Sequence, residues 1–164
     1  VNSPPSRRQV LLVVHHTTSP ALQALLEAAI EGTRADGIEN LDVVLRPALA
    51  ATASDVLAAD GFLLGTAANI GYMSGALKLF FDTVYYPCLL AKIGAPYGLY
   101  VQGNNDTTGA VRSVQAIAKA MGWQPAHEPV EITTQPAKQA AEAVWELAAT
   151  IAATVAALPM ATGS

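Results

Sequence analysis

The sequence predicts a three-layer α/β sandwich around a parallel sheet, and three observations carry that reading. Short apolar runs alternate with longer segments of helical period along the chain. The first of those runs, Val10-Leu-Leu-Val-Val14, is continuous rather than alternating. A strand covered on both faces reads that way, and strand–helix alternation implies parallel pairing through right-handed crossovers. The third observation is composition: 164 residues, 52% hydrophobic and 13% charged, suit one domain with a sizeable core and exclude intrinsic disorder.

After the first strand, Thr17-Thr-Ser-Pro20 leads into a helix whose stripe is Leu22, Leu25, Leu26, Ala29 and Ile30, ending near Gly32. Ser19 followed by Pro20 reads as an N-cap with proline at the first helical position. A second strand, Leu41–Leu45, stops at Pro47, and a short helix covers Ala53–Ala59. The third strand is Gly61-Phe-Leu-Leu-Gly65, with a loop from Thr66 to Met73. Leu77, Phe80, Phe81 and Val84 mark a helix that breaks at Pro87, with Ser74 as its cap. Tyr97–Val101 is the fourth strand, Gln102–Thr108 a polar loop, and Val111, Val114, Ala118 and Met121 the next helix, closed by Gly122. Val130–Thr133 is the fifth strand, and Ala137–Leu158 a long helix with Val144, Leu147, Ala148, Ile151 and Val155 inward. Residues 9–158 are expected to form the domain, with flexible ends at 1–8 and 159–164.

Charge and cysteine count narrow the function. Nine basic and thirteen acidic residues give a net charge of −4, which argues against a nucleic-acid partner. The lone cysteine, Cys88, excludes a disulfide framework and any multi-cysteine metal site, and its place beside Pro87 suits a small buried apolar group. No apolar run reaches the roughly 20 residues that span a bilayer. Val1–Arg8 is polar and proline-bearing, so no signal peptide, no membrane insertion and a cytoplasmic location are expected.

In an open parallel sheet, ligands gather beyond the carboxyl ends of the strands, where strand order reverses. The loops after the first, third and fourth strands should therefore surround one crevice. The first is His15-His-Thr-Thr-Ser-Pro-Ala-Leu22. Three consecutive hydroxyls at a helix entry suit an anion, because free N–H groups and the positive end of the helix dipole point there. Taken in isolation, helix capping by Thr18 and Ser19 is the better account of the same residues. His15 and His16 fall on opposite sheet faces, which argues against a shared metal; one of them could stand near the anion as a donor. The second loop, Gly65-Thr-Ala-Ala-Asn-Ile-Gly-Tyr-Met-Ser-Gly75, has small residues that admit a flat ring. Asn69 can meet a heteroaromatic edge, and Ile70 and Tyr72 can press on a ring face. The third, Gln102-Gly-Asn-Asn-Asp-Thr-Thr-Gly109, offers side-chain amides and the Gly103 backbone, although these are also ordinary turn residues. No nucleoside-triphosphate loop, dinucleotide fingerprint, nucleophile elbow or receiver-type carboxylate set is present. No metal ligands and no catalytic acid or base are assigned.

Gly65-Thr66, a stretch of small residues, and then Gly71-Tyr-Met-Ser-Gly-Ala-Leu-Lys-Leu-Phe-Phe-Asp82 resemble the flavodoxin-like superfamily. Within it, the likeness is to the branch of NAD(P)H-dependent FMN reductases and quinone oxidoreductases of the tryptophan-repressor-binding-protein type. Met73, Lys78, Phe80 and Asp82 stand at the family's spacing, and the pattern runs from Val10 to Val101, more weakly to Gly122. The resemblance implies a five-stranded sheet of order 2-1-3-4-5 with FMN as ligand. Its phosphate would be held by Thr17, Thr18 and Ser19 and by the Ala21 and Leu22 amides, with His16 alongside. Ala67, Ala68, Asn69, Ile70 and Gly71 would line the ring, and Gln102, Gly103, Asn104 and Asn105 would meet its other edge. Two departures stand out: Pro20 replaces a common glycine, and the aromatic or arginine often found near Asn69 and Ile70 is missing.

By that resemblance the chain is expected to be an FMN-dependent oxidoreductase. It would use NAD(P)H as co-substrate and reduce a quinone or similar small acceptor, with the flavin carrying the redox chemistry. The resemblance also implies a homo-oligomer. A flavodoxin-type electron carrier serving a redox partner protein, and a flavodoxin-fold interaction module that has lost FMN, are the alternatives.

Overall fold

The computed structural model describes residues 6–160. In chain order the elements are β1 (Gln9–His15), α1 (Pro20–Gly32), β2 (Leu41–Pro47), α2 (Ala53–Ala58), β3 (Gly61–Asn69), β4 (Tyr72–Met73), α3 (Gly75–Cys88), β5 (Pro96–Gln102), α4 (Thr108–Ala120), β6 (Gln124–Pro125), β7 (Val130–Ile132) and α5 (Ala137–Ala156). The main sheet runs β2-β1-β3-β5 with every pair parallel, and β6 and β7 both lie along the outer edge of β5.

The expected five-position order is therefore present, with its fifth position divided between two short strands. Pro125 and Pro129 flank the break. Neither can donate the N–H that an uninterrupted strand needs; Ala126 still donates to Tyr97 O at 3.0 Å, and pairing then lapses until Val130. The third strand differs more. It runs four residues past the expected Gly65 to Asn69, then turns back as β4 in an antiparallel pair, Ala68 with Met73 and Asn69 with Tyr72. What reads as a loop in the sequence is a hairpin.

Helix ends obey local chemistry. Ser19 caps α1 through its hydroxyl, which accepts from Leu22 N at 3.1 Å, and Pro20 comes next as expected. Thr52 and Asp55 form a reciprocal capping box on α2, and Ser74 caps α3 by accepting from Leu77 N. α3 continues through Pro87 to Cys88, one residue beyond the expected break. Cys88 is buried, as expected of a small apolar group.

Two apolar layers sandwich the sheet. Leu64, Phe62, Val101, Phe80, Phe81 and Trp123 pack on the α2–α3–α4 side. Leu11, Val13, Leu63, Tyr100, Leu147 and Ile151 pack on the α1–α5 side. Trp123 lies flat on Phe62 with ring centroids 3.9 Å apart.

The expected flexible ends fall partly on residues 1–5 and 161–164, outside the described residues. Inside the described range, Arg7 donates to Ala58 O and pairs with Asp60 at 3.2 Å, and Arg8 pairs with Asp42 at 2.8 Å. Among the described residues, no helix is long and apolar enough to cross a membrane, and no three His, Cys, Asp or Glu side chains gather as a metal site.

Candidate functional site

Strand register brings the three loops to one edge. His15 lies opposite Gly65, Gly65 opposite Tyr100, and Ala67 opposite Gln102, so β1, β3 and β5 run out at the same edge, with β3 reaching four residues past the level of His15. The hairpin after β3 leans on the start of α4, where a Cβ on Gly109 would collide with the Gly71 carbonyl oxygen. Ala68 abuts the β5 loop as well: a Cβ built on Gly103 would stand 3.1 Å from the Ala68 Cβ. The hairpin's base is pinned from inside by the buried Thr66 hydroxyl, which accepts from Ser74 N at 3.1 Å and donates to Ala67 O.

The first loop presents donors outward. Thr17 and Ser19 are half-buried and Thr18 is exposed. Among the described residues, no protein acceptor bonds the N–H groups of Thr17, Thr18, Ser19 or Ala21. His16 donates its N–H to Gly65 O at 3.0 Å, while its ring Nδ1 is buried without a partner. A buried polar atom left unpaired is costly, on the order of 1–3 kcal/mol.

Two expected donors are already used. The Leu22 amide bonds the Ser19 hydroxyl, so it caps the helix instead of facing a phosphate. The Gly103 amide donates to Ile132 O at 2.9 Å, because β7 lies beside the end of β5 and takes up that group. Ala67 also turns out as core, packed with Leu63 and Tyr100. Asn69, Ile70, Gly71, Asn104 and Asn105 are exposed, and Gln102 and Ala68 are half-buried.

A hollow of about 180 Å³ reaches this edge, lined by Ala21, Ala24, Leu25, Gln102, Ile132 and Thr133 among others; of the expected site residues it draws on Ala21 and Gln102. A larger hollow of about 310 Å³ lies at the opposite, amino edge of the sheet, lined by Arg7, Gln9, Asp60, Lys92 and Pro96. Two of its charges, Arg7 and Asp60, pair with each other.

No protein-family model matches the chain. A flavodoxin of Aquifex aeolicus (strain VF5) is 36% identical over 74 residues, which is 45% of this chain and 39% of that protein's length. A flavodoxin from the domain Archaea superposes with a TM-score of 0.74 at 19% identity, over 90% of this chain and 99% of its own. A flavodoxin, WrbA-like protein from Agrobacterium tumefaciens gives 0.72 at 16% identity, over 90% and 97%. The chain has the flavodoxin-like fold.

Within that flavodoxin-like fold, the hairpin carries a local strain. Ile70 has φ +50° and Gly71 φ +72°, both left-handed, across a two-residue turn between paired Asn69 and Tyr72. Paired positive φ values are what a tight hairpin requires, and Asn-Gly is its preferred sequence. Isoleucine is β-branched and among the least suited to that region. Its side chain is fully exposed, so no packing compensates. Strain of this kind costs about 1–3 kcal/mol and is held here by the flanking strand pairing. Ile70→Asn is therefore expected to stabilise the fold by about 1 kcal/mol, read as a raised urea midpoint. An unchanged or lowered midpoint would show that the turn is relaxed as it stands.

Some features of this edge carry no sequence signal. The Thr107 hydroxyl donates to Glu131 Oε1 at 2.6 Å, tying the β5 loop to β7, and His15 Nδ1 lies 2.8 Å from Thr17 Oγ1. Only the parity of a strand's last residues hints at the second. Nothing in the sequence hints at the first.

Proposed function

We propose that this chain binds FMN at the carboxyl edge of its sheet and works as an NAD(P)H-dependent oxidoreductase on a quinone or similar small acceptor. The observation that carries the reading is the row of open N–H groups at Thr17, Thr18 and Ser19. It stands at the start of α1, on the same edge as Ala68–Gly71 and Gln102–Asn105. Those donors and the helix dipole suit a phosphate ester without lysine or arginine. Ser19 keeps a role despite capping: its oxygen accepts from Leu22 N, which leaves its own proton for an anion. In this reading the exposed Asn69, Asn104 and Asn105 would meet the polar edge of the ring, and Ile70 would cover an apolar face. FMN, when bound, supplies the electron transfer; the chain supplies position and field.

The rim supports a small neutral acceptor. Among the described residues, two carboxylates stand around the three loops: Asp106, held below the ordinary carboxylate range by its bonds from Thr108, and Glu131, engaged by the Thr107 hydroxyl, while the tip is the apolar Ile70. Electrostatic docking of a protein partner calls for more charge than that. Likeness to proteins named flavodoxin favours a second reading, an electron carrier with a protein partner.

The test is direct. Protein incubated with FMN and desalted should keep the flavin's visible absorbance, and NAD(P)H should then bleach it, with a quinone restoring it. Retention of FMN without any response to NAD(P)H would favour the carrier. Loss of all FMN on desalting, with no fluorescence quenching at tens of micromolar, would leave a scaffold without flavin.

A further inference from the structure

His15 is not among the residues assigned to the flavin, yet it stands beneath the proposed anion loop. It closes β1, is 9% exposed, and places Nδ1 2.8 Å from Thr17 Oγ1. A hydroxyl has one proton to give. If Thr17 gives it to Nδ1, the hydroxyl turns only lone pairs toward an incoming anion and repels it. If Nδ1 carries the proton and donates to Thr17 Oγ1, the Thr17 proton is free to point outward, beside the open N–H groups of Thr17, Thr18 and Ser19.

We propose that His15 is a positioning residue for a phosphate monoester: donating from Nδ1, it makes the Thr17 hydroxyl a donor to the ester's oxygens. This rests on the reading that the first loop holds the FMN phosphate. Among the described residues, the surroundings supply no partner of opposite charge. β2 sets Pro47 beside His15, β3 sets Gly65 there, and from β5 the uncharged Tyr100 ring lies against Gly65. α1 has no acidic residue in its first turn, and the neighbouring charge is His16, of like sign. Burial and then His16 hold the His15 imidazole below its ordinary value. At neutral pH the ring is therefore uncharged and must adopt the Nδ1–H tautomer to serve. At lower pH protonation guarantees that donor, and a bound dianion in turn favours the proton.

The experiment measures FMN and riboflavin dissociation constants by flavin fluorescence between about pH 5.5 and 8 for the wild type, His15→Ala and His15→Asn. An asparagine amide keeps a permanent donor near the place of Nδ1. His15→Ala should weaken FMN about tenfold, the scale of one charge-assisted bond, and leave riboflavin unchanged. His15→Asn should recover most of that loss. The ester's own titration near pH 6 is common to all three proteins, so the ratio of wild type to His15→Asn isolates the histidine. That ratio should move toward tighter wild-type binding as pH falls. A ratio flat with pH, or equal loss of FMN and riboflavin in His15→Ala, overturns the proposal while FMN still outbinds riboflavin. A wild type that binds the two flavins equally removes the phosphate loop itself and this proposal with it. Should His15→Ala not fold, the pH course of the His15→Asn ratio still decides.

Discussion

Thr18→Glu is expected to lower FMN affinity about a hundredfold while leaving the fold intact or slightly firmer. Thr18 is exposed, immediately before the Ser19 cap, in the row of open N–H groups. A carboxylate there occupies the region proposed for the phosphate, and like charges brought together in an interface cost several kcal/mol. The same carboxylate lies near the positive end of α1, where a negative charge contributes roughly 0.3–1 kcal/mol to stability. Binding and stability thus move in opposite directions. Titration by flavin fluorescence and a thermal melt on the same sample check both. Unaltered FMN affinity would place the phosphate somewhere other than the first loop.

Trp123→Ala should produce the largest stability loss, about 3–5 kcal/mol, with FMN affinity preserved. Trp123 is 3% exposed and stacks on Phe62, with Phe81 and Tyr97 tilted against it at 6.2 and 6.3 Å. Removing the indole leaves a cavity between three aromatic rings and forfeits their contacts, which the β-sheet floor cannot close. One effect works the other way: the indole Nε1 is buried without a partner, so its removal also relieves an unmet hydrogen bond. Trp123 precedes β6, which pairs at the start of β5, remote from the carboxyl edge. A urea series and a flavin titration under folding conditions separate the two effects. Equal loss of affinity would mean that the site depends on the core far more broadly than its loops suggest.

Much of this architecture is legible in the sequence because burial writes itself as pattern. Val10–Val14 is continuous because β1 is covered on both faces, and Ser19-Pro20 marks the start of α1 because cap and first-turn chemistry are local. The convergence of the three loops comes from strand order alone. What escapes the sequence is set by tertiary contact. Ala67–Asn69 lacks strong strand formers, yet it pairs because Thr66 is bonded to Ser74 and Met73 lies opposite Ala68. Ile70-Gly71 does not announce a hairpin, since its first residue is among the poorest for that turn. The Gly103 amide reads as free until β7 is seen beside it, and β7 itself is separated from β6 by a proline break that the apolar pattern does not reveal.

The central claim is that one edge of the sheet, where β1, β3 and β5 end, holds the ligand. Backbone amide shifts recorded as FMN is added test it most directly. Changes are expected to gather at Thr17–Ala21, Ala68–Gly71 and Gln102–Asn105, with the first group silent when riboflavin replaces FMN. Changes centred instead on Arg7, Asp60 and Lys92–Pro96, at the amino edge, would contradict it.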